Sequence, residues 1–241
     1  MIDLLKSFRI SIFIFLIVFF FLIKAKLSLS QSTEMILIPP GVFTMGGSSE
    51  KDQTPIHKVF LDRYYIDIKE VNQNDFQTVM GFNPSLNKRP HLPVEFVNWY
   101  EAQEYCHKID KRLPTEAEWE KAIRGNTQTK FYWGKQISDQ FSWFKENSKG
   151  KSHIGGSKNP NQFGLYDMSG NVWEWVSDWY DPNYYRNSPH FNPKGPKTGQ
   201  FKVQRGGSWS NTLDYHTSSY RMVYGPLGRD EFNGFRCVKT K

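Results

Sequence analysis

Short stretches of hydrophobic periodicity, separated by Gly, Pro and Asn, run along most of this chain. Alternating or continuous apolar positions predict strands, and apolar positions three or four residues apart predict helices. The strands predicted in this way are 36–38, 42–45 and 57–68, and the helices are 70–80 and 98–110. The first strand has to stop at Pro39 and Pro40, because proline has no backbone N–H to donate to a sheet.

A third helix is predicted by its start signal. Thr115 followed by Glu118 is the capping-box pattern, in which each side chain accepts a hydrogen bond from the other residue's backbone N–H. Trp119 and Ala122 would form the buried face of this helix. Beyond Arg124 the sequence is rich in Gly, Asn, Ser, Pro and aromatic residues, which predicts ordered loops held by rings rather than regular sheet. Together these patterns predict an α+β fold with short strands and many loops.

Residues 1–30 have a pattern unlike the rest of the chain. Lys6 and Arg9 precede an uncharged apolar run over 10–23. As a helix this run rises only about 21 Å, which is short of a hydrocarbon core of about 30 Å. A basic start, a short apolar run and small residues afterwards indicate a signal peptide over 1–30, with an uncleaved membrane anchor as the alternative. We therefore expect 31–241 to be one exported domain that is periplasmic, at the cell surface or secreted.

Composition and charge remove several classes of protein. A hydrophobic content of 38% and a mean hydropathy of −0.61 exclude a protein with many membrane spans. Residues 1–30 contain four basic residues and one acidic residue, so they supply +3 of the net charge of +7. The remaining +4 is spread over 31–241 without a basic block. No nucleic-acid partner is expected, and membrane contact is expected only through an uncleaved N-terminal segment.

Two cysteines, Cys106 and Cys237, are too few for a four-thiolate zinc site. They are either two separate buried thiols or a disulfide, and export favours the disulfide. Such a bond would tie the second predicted helix to the C-terminal region. Closing so long a loop would stabilise the fold by ~5 kcal/mol in the chain-entropy model.

Five sequence blocks carry a specific resemblance. They are MILIPPGVFTMG (35–46), KRLPTEAEWE (111–120), FGLYDMSGNVWEW (163–175), RGGSW (205–209) and NGFRC (233–237). In this order they resemble the formylglycine-generating enzyme family, also called the sulfatase-modifying factor family, over about 34–239. The resemblance implies a variant of the C-type lectin fold with structural calcium. It also implies that Cys106 and Cys237 form a structural disulfide.

The block around 167–174 is a candidate calcium site. Asp167, Asn171 and Glu174 offer oxygen atoms near Gly170, and calcium prefers six to eight oxygen ligands. The ligands implied by the resemblance are the side chains of Asp167 and Glu174 and the main-chain carbonyls of Gly170 and Val172. The alternative is that the two carboxylates only cap turns and pair with Arg112 or Arg236.

The segment after RGGSW lacks the residues needed for copper chemistry. Family members that generate formylglycine bind Cu(I) there through two cysteines, and thiolates suit this soft ion. In this chain Asn211 and His216 occupy the corresponding positions. An asparagine and a histidine cannot reproduce a bis-thiolate centre, so no copper and no formylglycine-generating activity are expected.

Two functional interpretations remain open. One is a non-catalytic, calcium-stabilised accessory module that binds a protein, a peptide or a glycan through its loop-rich face. The other is an oxidoreductase of altered chemistry, which would act on a protein or small molecule in a groove around Asn211, His216 and Arg221.

Overall fold

A computed structural model describes residues 34–240, so the predicted signal peptide lies outside the described residues. In chain order the strands and helices are β1 (Met35–Ile38), β2 (Gly41–Met45), β3 (His57–Leu61), β4 (Tyr64–Asp67), α1 (Gln73–Met80), α2 (Trp99–Lys108), α3 (Glu116–Arg124), β5 (Trp173–Trp179), α4 (Tyr184–Asn187), β6 (Lys202–Arg205), β7 (Met222–Tyr224), β8 (Asn233–Gly234) and β9 (Val238–Lys239). Short strands and helices joined by long loops confirm the α+β prediction. Within 34–240 no helix is long and apolar enough to cross a membrane.

The strands of this region form three small sheets. Their strand orders are β1-β4-β9, β2-β3 and β7-β6-β5-β8, and the β5–β8 pair is parallel while the other pairs are antiparallel. The single strand predicted over 57–68 is wrong. Asp62 and Arg63 interrupt it, and the two halves pair in different sheets.

The prediction of loops without sheet beyond residue 124 is also wrong, because the largest sheet lies there. Its central strand β5 has the sequence WEWVSDW and is buried along most of its length. A strand covered on both faces does not show the alternation of polar and apolar residues that signals a half-exposed strand. The neighbouring strands β7 and β8 have only three and two residues, which is too short for a periodic signal.

Side-chain caps fix where the helices begin. The predicted capping box of α3 is confirmed, since Thr115 and Glu118 bind each other's backbone N–H groups. Asn98 and Glu101 form a second capping box on α2. The helix predicted over 70–80 is observed as α1, which begins only after its N-cap Asn72. Glu70, at the start of the predicted range, therefore lies outside the helix.

Two apolar clusters lie on either side of β5. The first contains Trp119 and Ala122 of α3, which confirms the predicted buried face, packed with residues of β1–β4. The second surrounds α2 and contains Trp175, Phe235 and the two cysteines. Cys106 and Cys237 form the predicted disulfide, with their Cα atoms 5.7 Å apart. The disulfide therefore joins α2 to the chain just before β9 inside a core.

A buried cluster of charges connects α3 to the largest sheet. Arg205 of β6 binds Glu116 at 3.1 Å and Glu120 at 2.6 Å, and all three side chains are buried. Glu120 also binds Arg124 at 2.7 Å and accepts a hydrogen bond from the backbone N–H of Gly46. Burial alone would raise the pKa of Glu120, but Arg124 and Arg205 together lower it. The carboxylate is therefore held ionised among its partners.

Replacing Glu120 with Gln should lower the free energy of unfolding by about 3–5 kcal/mol, because two buried arginines would lose a charged partner. Urea unfolding followed by circular dichroism measures this loss. The matched control is Glu104→Gln, which breaks only the exposed Glu104–Lys108 pair and should change stability by no more than about 0.5 kcal/mol. Equal effects of the two substitutions would show that the buried cluster contributes no more than a surface ion pair.

Candidate functional site

His216 lies inside the protein, between two glycines. Its imidazole faces Gly207 and Gly170, which have φ angles of +80° and +89°. A Cβ atom on Gly207 would lie 2.5 Å from the His216 ring, and one on Gly170 would lie 3.0 Å from it. Gly206, Gly207 and Ser208, which we call the GGS segment, therefore turn tightly over the imidazole. Only glycine at positions 207 and 170 leaves room for the ring.

Polar contacts of His216 are structural in kind. Its Nδ1 atom lies 2.9 Å from the hydroxyl of Ser142, and its backbone carbonyl accepts a hydrogen bond from Ser169. Its Nε2 atom is buried with no hydrogen-bond partner among residues 34–240. Burial lowers the pKa of His216 to about 4, against a smaller opposite effect of the Ser208 and Asn211 backbones. The ring is therefore neutral at physiological pH and has no exposed surface from which to act on a substrate.

Asn211 holds the loop that follows Gly207. Its side-chain oxygen accepts hydrogen bonds from the hydroxyl of Ser208 at 2.6 Å and from the Ser208 backbone N–H at 3.1 Å. Its backbone carbonyl accepts a hydrogen bond from the N–H of Lys145. Both oxygen atoms of Asn211 thus already accept hydrogen bonds within the protein.

Arg221 does not share a groove with Asn211 and His216. It is buried, and it binds both carboxylate oxygens of Glu116 at 2.7 and 2.9 Å. Its guanidinium also lies over the rings of Tyr180 and Tyr185. Asn211, His216 and Arg221, which were predicted to line one groove, therefore each bind a different residue: Ser208, Ser142 and Glu116.

Glu174, one of the residues assigned to calcium, lies in a dense set of hydrogen bonds. Arg236 donates to its Oε2 atom at 2.7 Å and to its Oε1 atom at 2.6 Å, and Trp119 donates to Oε2 at 2.7 Å. This is the Arg236 pairing that the alternative interpretation anticipated. A carboxylate oxygen can accept from two directions, so Oε1 keeps capacity for one further partner.

Asp167 lies near a carboxylate that the sequence did not identify. Its Oδ2 atom accepts a hydrogen bond from the N–H of Gly156 at 2.6 Å. A Cβ atom on Gly155 would lie 3.6 Å from Glu70 Oε2 and 3.7 Å from Asp167 Oδ2, so these two oxygens line the same small space. Glu70 is anchored by Asn171, whose side-chain amide donates to it at 2.8 Å.

Three buried carboxylates, Glu70, Asp167 and Glu174, thus surround the guanidinium of Arg236. Burial and the charge of Glu174 raise the pKa of Asp167 to about 6. Burial and the charges of Asp167 and Glu174 raise the pKa of Glu70 well above its usual range. This excess of negative charge fits a bound cation.

The described region contains no group of three or more His, Cys, Asp or Glu side chains arranged around one metal position. A cation here would therefore depend partly on backbone carbonyls, as predicted for Gly170 and Val172. Asp167, Gly170 and Asn171 all have positive φ, which gives this turn a tight and irregular backbone.

Five aromatic residues that reach the surface lie along 209–232, between the GGS segment and β8. We call this surface the open face and define it by the partly exposed or exposed rings Trp209, Tyr215, Tyr220, Tyr224 and Phe232. Two pairs of its rings are in contact, with centroids 5.0 Å apart for Trp209–Phe232 and for Tyr215–Tyr220, and Tyr224 lies 5.9 Å from Trp175 of β5. Tyr220 also lies 6.0 Å from Trp173 of β5. Such surfaces combine apolar area with polar edges and suit recognition of a ligand.

A buried amide lies beneath the open face. Gln204 of β6 is opposite Trp175 and Met222 in the sheet, so its side chain projects to the same side as theirs. It is 1% exposed, and its Nε2 atom has no hydrogen-bond partner within the described chain. An unsatisfied buried donor costs free energy and is a candidate contact for a ligand or an ordered water.

Comparison with known proteins establishes the family. Short strands and helices joined by long loops define a C-type-lectin-like domain. The family of sulfatase-modifying factor enzyme 1-like domains matches residues 23–241, and the chain belongs to it.

Three relatives illustrate the range of this family. The formylglycine-generating enzyme of Mus musculus is 28% identical over 86% of this chain and 75% of its own length. The serine/threonine-protein kinase pkn1 of Chlamydia pneumoniae is 33% identical over 86% of this chain, but the chain spans only 38% of that kinase's length. The solved Treponema denticola variable protein 1 is 29% identical, with a TM-score of 0.80 over 86% of this chain and 95% of that one. Members with this fold therefore have quite different names and lengths.

The buried, neutral state of His216 gives a pH prediction. Its folded pKa of about 4 lies below the value of about 6.5 expected in the unfolded chain. Between these two values the unfolded state binds a proton that the folded state does not, so stability falls as the pH falls. From pH 7 to pH 5, wild-type protein should lose about 2 kcal/mol more unfolding free energy than a His216→Gln variant. Urea titrations at both pH values measure the difference, and parallel losses would mean that His216 titrates normally.

Proposed function

We propose that this protein is a non-catalytic binding module of the formylglycine-generating enzyme family. The observation that carries the proposal is the state of Asn211 and His216, which stand where the resemblance places the copper-binding cysteines. His216 is fully buried and neutral, and Asn211 is bonded to Ser208. The altered-chemistry alternative has less support, because Arg221 is engaged by Glu116.

The open face is the surface through which we propose that the module binds a peptide, a protein loop or a glycan. Its rings are fixed by contacts with strand residues such as Trp173, so little side-chain freedom would be lost on binding. Export belongs to the same proposal and is supported by the disulfide between Cys106 and Cys237.

Absence of turnover can be tested directly. Purified protein loaded with Cu(I) and supplied with oxygen should leave a cysteine-containing sulfatase peptide unmodified, as measured by mass spectrometry. A copper-loaded formylglycine-generating enzyme serves as the positive control. Conversion of the peptide cysteine to formylglycine would disprove the non-catalytic assignment.

Binding can be tested with a glycan array and a random-peptide display library. A ligand selected by the wild-type protein should bind at least about tenfold more weakly to Trp209→Ala and to Tyr220→Ala, because each loss removes a large apolar contact. The matched control is Phe191→Ala, which removes a ring that is 64% exposed elsewhere on the surface. Ligands that bind these three variants equally well would contradict a binding role for the open face.

We further propose that Ca²⁺ binds beside Asp167 and Glu174 and balances the charge of the three buried carboxylates. Glu70 would support the site through Asn171. The ion would supply structural stability, and the nearby acids and carbonyls would hold it. The support for this proposal is that three buried carboxylates outnumber the cations near them, Arg236 and Lys69, and that Glu70 and Asp167 line the same small space.

Saturating Ca²⁺ should raise the melting temperature relative to EDTA by about 5 °C or more. Asp167→Ala should abolish that shift, whereas Asp214→Ala, which alters an exposed acid, should preserve it. Differential scanning calorimetry with Mg²⁺ in parallel distinguishes a site for calcium from a general effect of divalent cations. A melting temperature that neither Ca²⁺ nor EDTA moves would refute the calcium site.

A further inference from the structure

A cavity of about 480 Å³ lies beside the start of α3, and the GGS segment is not part of its lining. It opens between the β3–β4 turn, α2 and the loop 192–194. Its volume is in the range of pockets that bind small organic molecules. The apolar part of its lining consists of Leu61, Trp99, Leu113 and Pro193.

Both acidic residues of this cavity are already engaged. Asp62 accepts a hydrogen bond from the side-chain amide of Asn192 at 2.8 Å. Glu118 binds the guanidinium of Arg112 through both of its oxygens, at 2.6 and 2.7 Å. Arg112 also donates to Thr240 and to the carbonyl of Leu113, so its N–H groups are occupied as well. Arg112 and Glu118 therefore balance each other's charge, whereas Asp62 keeps one negative charge.

Two cations of the lining, Arg63 and Lys194, are free to act on a ligand. Both are exposed, and neither forms an ion pair with any residue of 34–240. Three cations and two acids line the cavity, so an apolar interior is combined with a net charge of +1. This combination selects a molecule that has an apolar body and a negative group.

The walls of the cavity are fixed in place. The ammonium group of Lys202 lies 3.7 Å from the centre of the Trp99 ring and 3.8 Å from that of Trp179, and it donates to the carbonyl of Ser177 at 2.7 Å. The opposite wall is bound to β3, because Asn192 and Phe60 share a backbone hydrogen bond of 2.9 Å. A pocket that is already formed loses little free energy to ordering when a ligand enters. Lys202 also adds positive charge close behind the Trp99 ring.

We propose that this cavity binds an organic carboxylate with an aromatic body. The body would lie against Trp99 and Leu113, and the carboxylate would interact with Arg63 and Lys194. Aromatic surfaces supply large apolar contact area, and guanidinium–carboxylate contacts are among the stronger hydrogen bonds of proteins. Free aromatic acids and peptides that end in an aromatic residue share this chemistry.

Isothermal titration calorimetry with three probes tests the proposal. The probes are 3-indolepropionate, its uncharged amide, and N-acetyl-Gly-Gly-Trp with a free carboxylate. At least one acid should bind with a Kd below about 1 mM, and the amide should bind at least about tenfold more weakly. The acid with the lower Kd identifies the source as a free metabolite-like acid or a peptide C-terminus.

Substitutions then locate the bound acid. Gln103→Trp places a large side chain into the cavity from the exposed face of α2 and should abolish binding. Glu104→Trp adds the same ring one residue away, outside the lining, and should leave binding intact. The double variant Arg63→Ala/Lys194→Ala should weaken acid binding at least about tenfold.

A double variant at two exposed cations outside the lining, Arg186→Ala/Lys197→Ala, controls for overall charge and should leave acid binding unchanged. The proposal is overturned if neither acid binds, if acid and amide bind equally, or if Gln103→Trp binds like the wild type. These variants leave the open face unaltered, so the result is independent of the proposed function.

Discussion

The pairing of two helical carboxylates with three arginines is the interaction on which the domain's arrangement depends. Glu116 and Glu120 lie one turn apart on α3. They form ion pairs with Arg205 of β6, with Arg221 from the segment before β7 and with Arg124 of the same helix. Removing these charges from water is costly unless every partner is in place. The helix and the largest sheet must therefore assemble together, and the GGS segment that follows Arg205 is positioned by the same assembly.

Local signals in the sequence were enough to predict the three longer helices, but not the four-residue α4, and the sheets depended on information that is not local. The cap of Thr115 by Glu118 involves residues three apart, and its geometry could be read directly. Strand β5 pairs with β8, some sixty residues later in the chain, and is covered on both sides. No periodicity within β5 could show that pairing. The break at Asp62 was hidden for a similar reason, since its backbone N–H is satisfied by Asn192.

Much the same division applies to the candidate site. The motifs singled out Asn211 and His216 after the RGGSW block, and Asp167 and Glu174 in the block before it. They offered Arg236 only as an alternative partner of the two carboxylates. They could not show that His216 is buried or that Trp119 binds Glu174, because those contacts join distant segments. Glu70 was missed because its partner Asn171 is 101 residues away. Residue type and spacing carried no sign of that contact.

The position of His216 between Gly170 and Gly207 also determines what a substitution there would cost. A pair of thiolates would need more than cysteines at positions 211 and 216. A thiol is much smaller than an imidazole, so it would leave a void where the ring now packs and would deprive Ser142 of its partner. The imidazole is thus part of the packing of the interior, and a cysteine at position 216 would give a less stable protein.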